Sequence, residues 1–442
     1  MPSSEIVNVT RVIDDGPVSA LQVRAIVLCS LVAFLDGIDS QSIALGAPII
    51  ADTMHLARTV LGPIFSTGLF GAMVGALTFG PLGDRFGRKR MLILAAVIFG
   101  AFTLLTAYVQ SYPMLLLTRF LAGIGLGGAT PCFIALASEY APLRRRAMVA
   151  SLIWAAFPFG VAIGGFLNGY ILGHFDWTTM FVVGGIAPLM VAGVLSVWLP
   201  ESIRFLMATG REMERIGAIL VRMRPGTPLA ARYVADEERA MGAPLKHLFT
   251  EGRGFATLLL WVPFFTGFGI LGITVVWTPI LLRDHGIAPA AAGFVLGIHG
   301  LGALVGMASA GRLLERFGAA PVLVPAFLLG GALTAVLGYA AADTATMAVV
   351  LALIGLFVGM GASGAIALAA LTYPTAIRST GIGWAMGIGR FGQVLAPLFA
   401  TAVMAAGYSG EQLFLAFGVA PILGALAILF FRAQRAPAIL AT

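Results

Sequence analysis

Twelve long apolar runs set the strongest constraint on this chain. They cover roughly 25–50, 60–82, 91–110, 113–136, 147–172, 179–199, 256–282, 290–311, 321–341, 345–370, 380–406 and 411–432. A membrane-crossing helix needs about 20 mostly apolar residues, so each run is long enough to span a bilayer. Backbone polar groups in lipid must pair within the segment, which favours helices. The short alternating segments of a membrane β-barrel are not seen. Charged residues make up 11% of the 442 residues and hydrophobic residues 59%. A soluble domain carries about 25% charged residues, so this chain lacks the means to solvate a globular surface. The expectation is an all-α integral membrane protein with twelve transmembrane helices. The narrowest division is between the third and fourth runs, where Ser111, Tyr112 and Pro113 mark the turn.

The basic residues orient these spans. With the N-terminus inside, all but four of the 27 Lys and Arg residues fall in the inner segments. The exceptions are Arg58 and Arg283 in outer loops, and Arg119 and Arg390 within spans. This asymmetry predicts cytoplasmic N- and C-termini. The formal net charge of +7 is spread between apolar runs rather than gathered on one face, which argues against a nucleic-acid partner. The first 24 residues contain Glu5, Asp14 and Asp15 and lack an apolar core, unlike a cleavable signal peptide. Cys29 and Cys132 both lie in apolar runs, which suits neither a disulfide framework nor a thiolate metal site. The histidines form no metal-spaced cluster, so no metal is expected.

Residues 200–255 form the one long polar stretch, with nine basic and seven acidic residues. The expected plan is a cytoplasmic segment 1–24, a six-helix half 25–199, a cytoplasmic linker 200–255 with short amphipathic helices, a second half 256–432 and a cytoplasmic tail 433–442. The halves echo each other. Gly80, Leu82, Asp84, Arg85, Phe86 and Gly87 recur at one constant offset as Gly311, Leu313, Glu315, Arg316, Phe317 and Gly318. Tyr140 and Arg145 recur as Tyr373 and Arg378 at nearly the same offset. Duplicated halves are common in secondary transporters, with the substrate site between them near the midplane.

The loop Gly80-x-Leu82-x-Asp84-Arg85-x-Gly87-Arg88-Lys89 resembles the signature of the major facilitator superfamily. The resemblance runs the length of the chain, and the second copy keeps Glu315, Arg316 and Gly318 without the trailing basic pair. Leu199 to Leu206, reading L-P-E-S-I-R-F-L, matches a further family motif after the sixth span.

Charges inside the membrane cost at least ~2.5 kcal/mol at its centre and are retained mainly for function or pairing. Asp36 and Asp39 lie in L-D-G-I-D-S-Q-S of the first span. Their i, i+3 spacing puts both on one helix face. Two close carboxylates in a low dielectric resist being ionised together, which suits a proton site. The alternative is that one merely caps or pairs with a basic neighbour. Gly37 between them permits close helix approach. This D-G-x-D resembles the first-span motif of the aromatic acid:proton symporters, although Ile38 stands where that branch often has an aromatic residue. Arg390, in G-I-G-R-F-G-Q of the eleventh span, is near the midplane of the other half. It is a candidate to hold a substrate carboxylate bidentately or to pair with a first-span Asp. The resemblance supports substrate contact. Arg119 precedes a Gly series in the fourth span, matching a second family signature whose Arg is tied to proton coupling. Snorkelling to the interface is the alternative.

His299 is a candidate proton shuttle or hydroxyl partner, or a packing histidine. Phe264, Phe268 and Trp277 of the seventh span suit stacking on a planar ring, or lipid contact and interfacial belts. The Gly run at 123–128 lacks the βαβ context of a dinucleotide site. No Walker-type phosphate loop is present, so a proton gradient rather than a cofactor is expected to drive transport. Asp84, Arg85 and Arg88, with Glu139 and Arg145 and the second-half Glu315, Arg316 and Arg378, are candidate members of an inner gate that opens and closes. The resemblance assigns Asp84 to the N-terminal end of the eleventh helix, where the helix dipole favours an anion.

Together these readings predict a non-enzymatic symporter. It would import a small aromatic carboxylate such as a hydroxybenzoate or protocatechuate with H+, as a single chain in the lipid bilayer of an inner membrane. Other organic anions or drug export are rivals within the superfamily. A membrane-embedded enzyme would need a nucleophile or His/Asp/Glu cluster in the spans that the sequence does not assemble.

Overall fold

Each apolar run becomes one helix in a computed structural model that describes residues 3–209, 213–227, 230–234, 245–250, 252–339, 343–374 and 377–439. A short strand β1 (Ser3–Asn8) and helix α1 (Val9–Asp14) precede the first half. That half comprises α2 (Ala20–Thr53), α3 (Leu61–Phe86), α4 (Arg88–Thr106), α5 (Tyr112–Tyr140), α6 (Arg146–His174) and α7 (Thr178–Trp198). The linker supplies α8 (Ile203–Thr209), α9 (Met213–Met223) and β2 (Ala230–Val234). The second half comprises α10 (Gly254–Asp284), α11 (Pro289–Phe317), α12 (Ala319–Leu337), α13 (Thr344–Thr372), α14 (Arg378–Ala405) and α15 (Gly410–Ile439). Twelve of these are long and apolar enough to cross a membrane, so the chain is a multi-pass membrane protein.

Local chemistry sets the helix ends. Ser19 and Gln22 form a reciprocal capping box at the start of α2. The Asp343 carboxylate accepts from the Ala345 and Thr346 amides at the start of α13. Hydrogen bonds from the Thr346 hydroxyl and amide hold the Asp343 carboxyl below its usual range. Gly87 and Gly318 occupy the same place in the two copies of the repeated loop. Their φ values are 104° and 84°, a region that side chains with a Cβ rarely adopt.

Three details differ from the sequence expectation. The break before α5 falls at 107–111, and Tyr112 and Pro113 already belong to that helix. Proline fits a first helical turn because its missing N–H has no intrahelical partner there. Secondly, α15 continues to Ile439 rather than ending near 432. Thirdly, β1 pairs in parallel with β2, with Ile6 opposite Arg232 and Val7 opposite Tyr233. This ties the N-terminal segment to the linker. Within the linker, α9 is amphipathic as expected, burying Ile216, Gly217, Leu220 and Met223. Positions 210–212, 228–229, 235–244 and 251 of the linker, and 440–442 of the tail, lie outside the described residues.

The antiparallel succession of spans puts nearly all of the described arginines and lysines at one end of the bundle. The cores are arranged differently at the two ends. Away from the arginines, one apolar cluster joins both halves, including Leu61 and Phe181 of the first with Trp277 and Leu296 of the second. Toward the arginine-rich end each half has its own cluster, one around Leu136 and Leu199 and the other around Phe264 and Tyr373. The halves also meet along α6 and α11 and along α3 and α14. On the first seam, Gly165 and Gly169 face Gly293 and Gly297 so closely that a Cβ on any of them would collide.

Candidate substrate and proton site

A cavity lies between the halves, lined by α2, α3, α5, α6, α10 and α14. It encloses about 940 Å³ of empty space, including the part open to solvent. Asp36, Asp39, Arg119 and Arg390 all line it. Two carboxylates and a cation of the first half therefore face a cation of the second.

The carboxylates have different partners. Asp39 is 3% exposed. Its Oδ2 lies 3.5 Å from Arg119, and its Oδ1 accepts from the Thr103 hydroxyl at 3.0 Å. Arg119 also donates to Thr106 at 2.7 Å and stands 5.4 Å from the centre of the Phe181 ring. Such a buried pair needs these extra hydrogen bonds, because burying two charges is costly unless each is well satisfied. Arg119 is buried in a polar cluster, not extended to the membrane interface.

Asp36, one turn earlier, is only partly buried. Its side chain has no hydrogen bond or ion pair among the described residues, although Arg390 and Asp39 are within electrostatic range. Arg390 likewise has no such partner among the described residues, and it lines the cavity. Gly37 lets α2 approach α6, since a Cβ there would strike the Phe157 carbonyl. That contact fixes the rotation of α2 and with it the direction of both carboxylates.

The remaining candidates are placed elsewhere. His299 is fully buried, with Nδ1 3.0 Å from the Leu351 carbonyl of α13. It does not line the cavity. Phe264 and Phe268 stack on each other, 6.0 Å between centres and 4° between planes. They pack toward α14 at Gly389 in the second-half core. Trp277 is in the apolar cluster that joins the halves. The aromatic rings in the cavity wall are Phe65 and Phe157, beside Leu271, Val275 and Val276.

The cavity also contains Gln393, one turn beyond Arg390. Its Oε1 is buried without a hydrogen-bond partner. Little in the sequence points to Gln393, Thr103 or Thr106. Neutral polar residues carry no insertion penalty large enough to flag them, but Gln393 does follow Arg390 at i+3, a signal that it shares a face.

At the arginine-rich end, Arg88 pairs with Asp84 at 2.9 Å and also with Glu139. Glu139 accepts from the Ser202 hydroxyl at 2.5 Å. Asp84 is 68% exposed and turns to Arg88 rather than to the N-terminus of α14. Arg85 and Arg316 lie over the neighbouring rings Phe86 and Phe317, each at 5.3 Å. Arg145, Glu315 and Arg378 are exposed. Arg378 donates to the Tyr373 carbonyl, and the matching first-half contact is made by Arg146 to Ala141 rather than by Arg145. Gly80 lies beside Pro131 of α5.

At the opposite end, charges join the halves. Arg58 pairs with Asp284 at 2.7 Å, Arg283 pairs with Asp52, and the Ser66 hydroxyl donates to the Val394 carbonyl at 2.8 Å. The central cavity is thus closed on the side away from the arginines.

Comparison with known proteins gives a consistent picture. The profile of the Major Facilitator Superfamily matches residues 29–285 and 259–441. The chain is 34% identical to the 4-hydroxybenzoate transporter PcaK of Pseudomonas putida, covering 96% of this chain and 95% of that one. It is 34% identical to a gallate transporter of Pseudomonas putida, over 97% and 96% of the two chains. It is 33% identical to the 3-(3-hydroxy-phenyl)propionate transporter of Escherichia coli K12, over 92% and 93%. Among solved structures, the xylose transporter XylE of E. coli superposes with a TM-score of 0.75 at 19% identity, covering 93% of this chain and 98% of that one. That last likeness concerns the fold.

Proposed function

This chain belongs to the major facilitator superfamily, and from that premise we propose that it is a proton-coupled importer of small hydroxylated aromatic carboxylates. Three relatives over nearly the whole chain are named as transporters of such acids. The observation that carries the reading is the division of charge in the cavity: Asp36 on one half and Arg390 on the other both line it, and neither side chain has a hydrogen bond or ion pair among the described residues.

In this reading the substrate carboxylate takes the Arg390 fork in a bidentate pair. Its ring lies against Phe65, Phe157 and the aliphatic wall of α10. A ring hydroxyl donates to the orphaned Gln393 Oε1. The proton is carried on Asp36, because Asp39 is already engaged by Arg119 and Thr103. Neutralising Asp36 and Arg390 together removes two unpaired charges from a low-dielectric cavity, which lowers the barrier to moving the halves. The arginine-rich end is placed in the cytoplasm by the positive-inside rule, in a bacterium at the inner membrane. The sealed end with Arg58 and Asp284 then faces outward, and this state opens inward. The network of Asp84, Arg88 and Glu139 forms the inner gate that must reassemble for the return.

The test is uptake of labelled 4-hydroxybenzoate, protocatechuate, gallate and benzoate into proteoliposomes, with and without an inward proton gradient. Accumulation of a hydroxylated acid only with the gradient is the expected result. Equal accumulation with the gradient collapsed removes proton coupling, and no uptake of any aromatic acid removes the substrate class.

A further inference from the structure

A second cavity lies at the arginine-rich end of the first half and shares no residue with the central one. It is bounded by the ends of α2, α3, α4 and α7 and by the linker helices α8 and α9, and encloses about 1520 Å³ of empty space including its open side. Six cations line it: Arg24, Arg85, Lys89, Arg90, Arg215 and Arg222. Among the described residues, the one carboxylate on its wall is Glu201. That group is already committed, accepting from the Lys89 and Ser202 amides at 2.8 and 2.9 Å.

Cations at span ends ordinarily orient a membrane protein while pointing separately into water. Here they converge from four helices, α2, α3, α4 and α9, onto one concavity. Arg24, Arg85, Arg90 and Arg222 have no ion-pair partner among the described residues. The Arg24 Nε is buried with no hydrogen bond among the described residues. Such an arrangement repels itself and leaves a donor unmet unless an anion enters. Nearby, burial first and then the charges of Arg146 and Arg88 hold the Arg204 guanidinium below its usual pKa.

The rim shows which anion fits. Phe86, Val197 and Trp198 border the same cavity and are 48%, 74% and 56% exposed. Trp198 ends α7, where aromatic residues sit at the bilayer surface. A soluble phosphate would use the cations and leave these side chains bare. A phospholipid would use both, with its headgroup among the arginines and its acyl chains along α7. Helix α9 completes the site by burying Ile216, Leu220 and Met223 while bringing Arg215 and Arg222 to the cavity. We infer that this cavity binds the phosphate of an acidic phospholipid headgroup and so anchors the linker helix α9 to the membrane surface.

Native mass spectrometry of the full chain in neutral detergent tests this. Equal amounts of phosphatidylglycerol and phosphatidylcholine are offered, and the retained lipid is counted. Preferential retention of phosphatidylglycerol is expected. Each basic residue near an anionic surface contributes about 1 kcal/mol, so R24Q/R222Q lowers that retention about tenfold or more. The charge-matched control R312Q/K246Q, at the same end of the bundle but outside this cavity, leaves it unchanged. A thermal-shift titration with inorganic phosphate alone separates the sources. Stabilisation by free phosphate that is lost in R24Q/R222Q, without any lipid preference, overturns the lipid assignment in favour of a soluble anion. Equal retention of both lipids with no effect of phosphate, or retention unaffected by R24Q/R222Q, overturns the site.

Discussion

The Arg119 guanidinium stands 3.5 Å from the Asp39 carboxylate, and both side chains are all but excluded from solvent. Breaking such a pair from one side leaves an uncompensated buried charge and costs about 3–5 kcal/mol. Arg119→Leu is therefore expected to lower the melting temperature sharply, and Arg119→Leu with Asp39→Asn to recover much of the loss. Thr103→Val keeps the shape but removes the hydroxyl held by Asp39, at about 1–3 kcal/mol. Thermal unfolding in detergent of Arg119→Leu, Asp39→Asn and their double variant checks the pair, and that of Thr103→Val checks the hydroxyl. Additive losses would show that the pair is not coupled.

Asp36 has no such partner, and Asp36→Asn mimics its protonated form. Loss of gradient-driven accumulation with retained substrate exchange is the expected result. Exchange between labelled external and unlabelled internal substrate separates the two activities. A variant that still concentrates substrate in response to a proton gradient would move the proton site to another group.

Arg390→Lys retains the charge and loses the planar fork. A charge-assisted hydrogen bond contributes about 1.5–3 kcal/mol, so affinity for the carboxylate should fall at least about tenfold. Equilibrium binding to the purified protein measures it, and unchanged affinity removes Arg390 from the carboxylate site.

The spans and charged motifs could be read in the sequence because lipid imposes its requirements residue by residue. A run of 20 apolar residues has one stable solution, and a charge inside it stands out. Which side chains reach the cavity depends on depth and helix partners, and no such one-dimensional signal reports these. Phe264 and Phe268 share a helical stripe with Leu271 and Val275, at spacings of seven residues. They lie two turns nearer the arginine-rich end, where Gly389 of α14 leaves room for them in the core. His299 had equal chemical claims to the cavity and to the core, and the α13 carbonyl at Leu351 holds it in the core. The β1–β2 pairing joins segments more than 200 residues apart, with neither strand long enough to announce itself.

Gln393 offers the sharpest test of substrate choice. Its buried Oε1 lacks a donor, and a site built to receive a hydroxyl discriminates against analogues that lack one. Gln393→Leu removes the acceptor while roughly preserving size. Uptake of 4-hydroxybenzoate should fall about tenfold relative to benzoate, corresponding to one hydrogen bond of about 1–1.5 kcal/mol. Competition between the two acids in the same vesicles gives the ratio directly. An unchanged ratio would show that ring hydroxyls are recognised elsewhere or not at all.

The closed end suggests how the resting balance of states is set. Arg58 and Asp284 join the halves at 2.7 Å, but their side chains are 59% and 28% exposed. An exposed pair contributes only about 0–1 kcal/mol, so losing it should shift the population of states by up to about fivefold without unfolding the protein. Arg58→Asp should therefore favour opening of this end, and Arg58→Asp with Asp284→Arg should restore the original balance. The two native cysteines are buried, so Ser40→Cys places a reporter thiol in the cavity wall. In sealed right-side-out vesicles, a membrane-impermeant thiol reagent should label that cysteine faster in the Arg58→Asp background and at the parental rate in the charge swap. Faster labelling in both backgrounds would mean that the substitutions act by local disruption. Unchanged labelling in both would leave the apolar cluster around Leu61, Trp277 and Leu296 as the seal.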